Sequence, residues 1–215
     1  MAYTAKDRLD EAALFLNDAN RSQYKYSVLL PFLKIALQEA EDLFIANSVA
    51  FVMKESAVIT VAAGATTLVL PADFLLPIKL EERASGSTEL PSDMMEKTWT
   101  PDEIQQTSLR YWKWDDGQVI TFLGATSARD VGLQYYRSLT AVNVPDDVVS
   151  INHIKQYLSA RAASLASFVI GENTTRAQAL DDLAQIAMRR AIGIATKRNQ
   201  GRPVRRRPFG TSRRA

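Results

Sequence analysis

The sequence predicts an α+β fold, a helical bundle of about four helices with an inserted antiparallel β-section and an extended basic C-terminal arm. Apolar residues recur at helical spacing near both ends of the chain, whereas the middle third alternates in hydrophobicity and is broken by turn residues. Strands that cluster, rather than alternate with helices, favour α+β over a parallel doubly wound sheet. With 215 residues, 47% of them hydrophobic, the chain is long enough to bury a substantial core.

Four segments carry the helical pattern. We expect helices at residues 4–16, 27–47, 148–170 and 174–196. Thr4 is the expected N-cap of the first helix, with Asp7 three residues further on. Ser27 is the expected N-cap of the second, which places Pro31 in the first turn, where its missing amide is tolerated. We expect residues 1–196 to form a single domain and residues 197–215 to form the arm.

The β-section is expected at residues 50–140. Residues 58–61 and 66–70 flank a turn at Gly64, so they predict a first hairpin. The clearest hairpin signal is the turn 115–117 between two runs of aromatic and branched residues, 110–114 and 118–122. Residues 131–135 alternate as a further strand.

Charge is distributed unevenly along the chain. The formal net charge is +2, from 26 basic and 24 acidic residues. Residues 189–215 hold ten of the basic residues and no acid, so the other 188 residues carry 16 basic residues against all 24 acids, a net charge of −8. This segregation predicts a basic arm on an acidic body.

The residue inventory argues against most chemistry. The chain has no cysteine and a single histidine, His153, which excludes thiol catalysis, disulfides and multi-histidine metal sites. The adjacent carboxylates considered for acid–base catalysis are typical of turns and helix starts instead: Glu81-Glu82, Asp115-Asp116, Asp146-Asp147 and Asp181-Asp182. Trp112 and Trp114 could stack on nucleic-acid bases, but their shared strand face favours packing in a core or an interface. We assign no catalytic, cofactor-binding or metal-ligating residue and expect no cofactor and no enzymatic activity.

Two further absences bear on location. No apolar run approaches the ~20 residues of a membrane span. The first residues lack the apolar core of a signal peptide. We therefore expect no membrane association and synthesis in the cytoplasm.

The arm is the strongest candidate for a binding site. Arginine is favoured over lysine there, and its planar fork suits docking on carboxylates or phosphates. Both a nucleic-acid backbone and an acidic groove of a protein fit this composition. The candidate docking residues are Arg198, Arg202, Arg205, Arg206, Arg207, Phe209, Arg213 and Arg214.

An ordered set of motifs resembles a known family. The set is a short helix ending in Leu16-Asn17-Asp18, an aromatic turn before a long helix, a strand ending in Leu70-Pro71-Ala72-Asp73-Phe74, and Val144-Pro145-Asp146-Asp147 ahead of two closing helices. Over residues 3–196 this layout is similar to the head-to-tail adaptor, or connector, proteins of tailed bacteriophages, including the tail accessory factors of short-tailed phages.

The resemblance implies a structural virion protein at the head–tail junction, present in the host cytoplasm during assembly. Such adaptors form rings, commonly of twelve copies, between the portal and the tail, and DNA passes through the bore. The helical part builds the ring, and the C-terminal arm docks on the portal. The implied partners are the portal ring, tail or nozzle proteins, copies of the same chain and, transiently, genomic DNA. The alternative is a nucleic-acid-binding protein that uses the arginine-rich arm.

Overall fold

The computed structural model describes residues 3–97, 105–139, 141–149, 151–171 and 173–199. These residues form four α-helices and eleven strands in three sheets. The helices are α1 (Ala5–Phe15), α2 (Tyr26–Ala46), α3 (Lys155–Val169) and α4 (Thr174–Asn199). The strands are β1 (Tyr3–Thr4), β2 (Met53–Glu55), β3 (Ile59–Val61), β4 (Thr67–Val69), β5 (Phe74–Ala84), β6 (Ser92–Asp93), β7 (Met95–Glu96), β8 (Tyr111–Trp114), β9 (Val119–Phe122), β10 (Arg129–Arg137) and β11 (Val148–Val149).

The predicted fold class is wrong. The molecule is a β-rich fold with helices, not a helical bundle that carries a small β insert. Strand content was underestimated because seven of the eleven strands are only two or three residues long, too short to show a full period of alternation. The β-section also has a hydrophobic core of its own, separate from the helical core. The first three residues of the predicted arm, 197–199, belong to the end of α4, and the rest of the arm lies outside the described residues.

Helix α1 starts as the sequence predicts. The amide of Asp7 donates to the Thr4 hydroxyl at 3.4 Å, and the amide of Thr4 donates to the Asp7 carboxylate at 2.9 Å, which forms a capping box. Helix α2 starts at Tyr26, so Ser27 is not its N-cap, and Lys25 occupies that position without a side-chain cap. Pro31 therefore lies in the second turn, and its exposed position lets water reach the backbone carbonyl that loses its partner.

The third helix is shorter than predicted. Strand β11 occupies the first part of the expected range and pairs antiparallel with β1, and residues 152–154 form a 3-10 turn. Helix α3 therefore begins at Lys155 rather than at residue 148. Helix α4 is capped by the side chain of Asn173, which accepts from the amide of Arg176 at 2.9 Å. It continues to Asn199, past the expected end at residue 196.

The helical core is centred on α3, which packs against α1, α2 and α4. Small side chains cover the buried faces of α3, so the neighbouring helices can approach closely. Alanines are buried at positions 160, 162, 163 and 166 of α3, and serines are buried at 159, 164 and 167. No helix in the described part of the chain is both long and apolar enough to cross a membrane.

Two sheets build the β-section. The central sheet has the order β2-β10-β5-β6, and β3 also pairs with β10. The outer sheet has the order β4-β9-β8-β7, in which only β7 and β8 run parallel. Both sheets contribute to one core: Leu80 and Leu133 come from the central sheet, and Trp112, Ile120 and Phe122 come from the outer sheet. The two sheets therefore form a small sandwich.

One of the two predicted hairpins exists. Strands β8 and β9 pair antiparallel, as the turn at 115–117 predicts. The hairpin expected around Gly64 is wrong, because β3 pairs with β10 of the central sheet and β4 pairs with β9 of the outer sheet. The turn at Gly64, with a φ of +76°, instead carries the chain from one sheet to the other.

Candidate interaction surfaces

The predicted docking residues lie at or beyond the end of α4. The backbone of Arg198 belongs to α4, and its side chain is not among those described. The remaining candidates, Arg202, Arg205, Arg206, Arg207, Phe209, Arg213 and Arg214, lie outside the described residues. The structure does describe α4, the helix that precedes them, and the contacts that hold this helix.

A three-helix ion-pair cluster holds α4 in place. The guanidinium of Arg161 on α3 donates two hydrogen bonds to the Glu39 carboxylate of α2, at 2.7 and 2.8 Å. Its third donor reaches the Asp181 carboxylate of α4 at 2.6 Å. The hydroxyl of Tyr157 also donates to Glu39, at 3.2 Å. One arginine therefore ties α2, α3 and α4 together, and we call this group the Arg161 cluster.

The electrostatics of the Arg161 cluster follow from this geometry. The hydrogen bonds from Arg161 lower the pKa of Glu39 below its ordinary value, although partial burial opposes the shift. Glu39 in turn raises the pKa of Arg161. Burial is the main cause of the raised pKa of Tyr157, so the phenol stays protonated and can donate. The Glu39–Arg161 ion pair between α2 and α3 is therefore charged on both sides at neutral pH.

The turn between α1 and α2 is organised by one carboxylate. Asp18 accepts from the backbone amides of Ser22, Gln23 and Tyr24 at 2.7 to 2.9 Å, and from the Ser22 hydroxyl at 2.8 Å. These bonds, that from the Tyr24 amide above all, lower the pKa of Asp18 to about 2. The sequence alone did not reveal the role of this side chain.

Asp73, the acid of the Leu-Pro-Ala-Asp motif, lies where the β-section meets the helices. Its carboxylate accepts from the Tyr135 hydroxyl at 2.8 Å and from the Lys54 ammonium at 2.6 Å, and its carbonyl accepts from the Ser138 amide at 2.8 Å. The hydrogen bond from Lys54 is the main cause of the lowered pKa of Asp73. Asp73 therefore holds the end of β10 and the residue after it, where the chain returns to the helices.

The outer sheet presents an open edge at β4. The Leu70 amide donates to the Gln118 carbonyl at 3.1 Å, and the Phe122 amide donates to the Thr66 carbonyl at 2.8 Å. Hydrogen-bonding residues alternate along an antiparallel strand, so the amides and carbonyls of Thr67 and Val69 point away from β9. Val69 is 74% exposed. The sequence could not reveal this edge, because it assigned β4 to a hairpin with β3.

The outward face of the outer sheet is partly apolar. Leu68, Ile120 and Trp112 point into the core, so the residues that alternate with them point outward. Val69 and Val119 are direct cross-strand neighbours on this face. Met95 on β7, at the opposite edge of the sheet, is 68% exposed.

A polar groove of about 410 Å³ crosses the exposed face of the central sheet. Gly132 lies in its floor, where an added Cβ would meet only open space. Lys79 binds both Asp93 and Glu81, which raise the pKa of Lys79 to about 12. Asp130 accepts from the Thr60 hydroxyl at 2.8 Å, the main cause of its lowered pKa. Two carboxylates therefore balance the charge of Lys79, and Asp130 is hydrogen-bonded by neutral donors of the protein.

The residues weighed for chemistry have packing roles. His153 stacks on Phe51 with 5.1 Å between ring centroids. Trp112 is 4% exposed within the second core, and Trp114 packs against that core, so the core interpretation is confirmed for this pair. Among the described residues, no group of three or more His, Asp or Glu side chains could hold a metal ion.

The adjacent carboxylates also have structural roles. The roles of Glu82 and Asp181 differ from the turn and helix-start roles that the sequence predicts. Glu82 is 3% exposed and forms an ion pair with Arg129 across the central sheet. Asp181 belongs to the Arg161 cluster. Asp147 accepts from two turn amides, as expected, and Asp115 binds Lys113.

The described residues form a helical core and a small sandwich with strand edges open at both ends of its outer sheet, and a cationic segment follows them in the sequence. Comparison with family models identifies the family: residues 3–207 match the model for the SU10 adaptor protein. The chain belongs to this family, which confirms the predicted phage head-to-tail adaptor. It is a structural protein of the virion, and membership implies association with portal and tail proteins. No curated protein matches the chain.

Proposed function

We propose that copies of this chain form a ring that joins the portal to the tail and lets DNA pass through its bore. Family membership supports the adaptor role. A ring of about twelve copies is what the resemblance implies. In this proposal residues 1–196 act as one adaptor domain whose helices build the ring, the β-section faces tail or nozzle proteins, and the chain is made in the host cytoplasm before it joins the virion.

The observation that carries the proposal is the segregation of charge at the end of the chain. Ten basic residues and no acid lie in 189–215, and the family match extends through Arg207 into this segment. We propose that the arm, residues 197–215, continues from the end of α4 and docks on acidic grooves of the portal ring. Arginine can form two parallel hydrogen bonds to one carboxylate, which offsets part of the entropy lost when an extended segment becomes ordered.

The remaining body suits a DNA channel. Residues 1–188 carry a net charge of −8, which would repel the phosphates of passing DNA, so the genome could move without adhering to the wall. Contact with DNA would then be transient.

The experiment is a pair of charge variants in the phage. Arg205, Arg206 and Arg207 are replaced together by Gln, and Arg189 and Arg190, exposed on α4, are replaced by Gln as the control. We expect the arm variant, like a chain that ends at residue 196, to give filled heads without tails, whereas the control assembles normally. Normal tailed particles from the chain that ends at residue 196 would refute the docking role of the arm.

The same basic segment also favours a second candidate, binding of nucleic acid by the arm. In that case the purified protein would bind duplex DNA with an affinity that falls steeply with salt, by about 0.9 log units per neutralised phosphate for each log unit of salt. DNA binding that is flat with salt, or that survives removal of residues 197–215, would count against this candidate.

A further inference from the structure

Among the described residues, the outer sheet of the sandwich ends on each side in a strand with one unpaired edge. At β4 the amides and carbonyls of Thr67 and Val69 point outward from a three-residue strand that has no charged residue and no bulge, and Pro71 ends this edge two residues further on. Natural proteins protect an exposed edge with such features, because an open edge pairs readily with another strand. In the described part of the chain, β4 pairs only with β9.

The opposite edge is β7. The Met95 amide donates to the Arg110 carbonyl at 2.9 Å, and the Lys97 amide donates to the Trp112 carbonyl at 3.0 Å, both toward β8. Glu96 lies between them, so its amide and carbonyl point away from β8. The two edges are at opposite ends of the strand order β4-β9-β8-β7.

The two edges also match in their side chains. Val69 on β4 and Met95 on β7 are the most exposed apolar side chains of the outer sheet, at 74% and 68%. The register places both on the outward face: Met95 lies beside Tyr111, and Val69 lies beside Val119. If β4 of one copy lay beside β7 of another, Val69 and Met95 would be brought together on one face of a continuous sheet.

We propose that neighbouring copies of this chain join by strand addition, with the β4 edge of one copy pairing with the β7 edge of the next. This inference rests on the proposed ring. It adds a contact between sheets of neighbouring copies to the proposed contact between their helices. Each copy supplies one edge of each kind, which is the arrangement that a head-to-tail ring requires. Backbone hydrogen bonds supply the affinity, and contact between Val69 and Met95 sets the register.

The test is cross-linking between copies in the assembled adaptor–portal complex. The chain has no cysteine, so Val69→Cys combined with Met95→Cys introduces the only thiols of the adaptor. A short bis-maleimide should convert the double variant into a ladder of dimers, trimers and larger multimers. Each single variant should stay monomeric on a denaturing gel, because one thiol at a head-to-tail joint has no partner within reach.

A second measurement compares Val69→Lys with Val119→Lys. Both side chains are exposed on the same face, but Val119 lies on a strand that is paired on both sides. We expect only Val69→Lys to reduce the fraction of chain found in rings on the portal, and both variants to unfold at the same temperature.

The outcomes separate the two proposals. If rings form on the portal but the double variant gives no ladder, the strand-addition proposal is wrong and the proposed function stands. Dimers formed by Val69→Cys alone would show symmetrical β4–β4 pairing and would also overturn it. If the unmodified chain forms no ring on the portal, the proposed function fails and the strand-addition proposal fails with it.

Discussion

Removing the guanidinium of Arg161 should loosen α4, the helix that leads into the arm. The Arg161→Met variant keeps much of the aliphatic stem but loses three charge-assisted hydrogen bonds, two to Glu39 and one to Asp181. A hydrogen bond to a charged group contributes about 1.5–3 kcal/mol when it is buried. The side chains here are 23% to 36% exposed, and water will compensate much of the loss, so we expect the free energy of unfolding to fall by about 2–3 kcal/mol.

Urea denaturation followed by circular dichroism measures this change, and the corresponding fall in Tm is about 4–12 °C for a chain of this size. The control is Lys113→Met, which removes an ion pair whose Asp115 partner is 65% exposed and should cost less than about 0.5 kcal/mol. Arg161→Lys should lie between the wild type and Arg161→Met, because an ammonium cannot copy the fork that binds Glu39 at two points.

The pH dependence has a definite sign. The pKa of Glu39 is lowered in the folded protein, so its share of stability is present above the ordinary pKa of a glutamate and is lost as the pH falls through the folded pKa. The difference between wild type and Arg161→Met should therefore shrink below about pH 4. A loss no larger than that of Lys113→Met, or a difference that does not change with pH, would refute the role assigned to the cluster.

Three further predictions concern single carboxylates. Asp73→Ala should lower the free energy of unfolding by about 1–2 kcal/mol, because it leaves the Tyr135 hydroxyl without its acceptor. Tyr135→Phe should lower this free energy by less. Equal stability of Asp73→Ala and the wild type in urea would contradict the prediction. Asp18 should titrate near pH 2 by NMR, and Asp18→Ala should speed hydrogen exchange at the Tyr24 amide; an ordinary pKa would disprove the turn geometry. Burial raises the pKa of Glu41, so the ionised carboxylate destabilises the folded protein once the pH has risen above that raised pKa. Glu41→Gln should therefore stabilise the protein at pH 7 but not at pH 3. A thermal melt that shows destabilisation by Glu41→Gln at pH 7 would refute this prediction.

Local signals in the sequence predicted local structure well. The capping pair Thr4 and Asp7 defined the start of α1, and the turn at 115–117 defined the β8–β9 hairpin. The alternation of residues 131–135 predicted the middle of β10. Each of these features is decided by residues close together in the chain, where propensity and hydrophobic period act directly.

Long-range partners could not be predicted in this way. The segments around Gly64 satisfied every local rule for a hairpin, but β3 and β4 join strands of different sheets. Arg161 lies 122 residues from Glu39 and 20 from Asp181, so no spacing in the sequence announced the cluster. The composition of the arm marked it as a candidate site, whereas the open edges of the outer sheet became visible only from the strand order.

The most direct test of the adaptor account is a cryo-EM reconstruction of the neck of the virion that contains this chain. We expect a ring of copies between portal and tail, with density for residues 197–215 lying against the portal. Density for these residues that contacts only DNA or tail proteins, or the absence of the chain from the neck, would contradict the account.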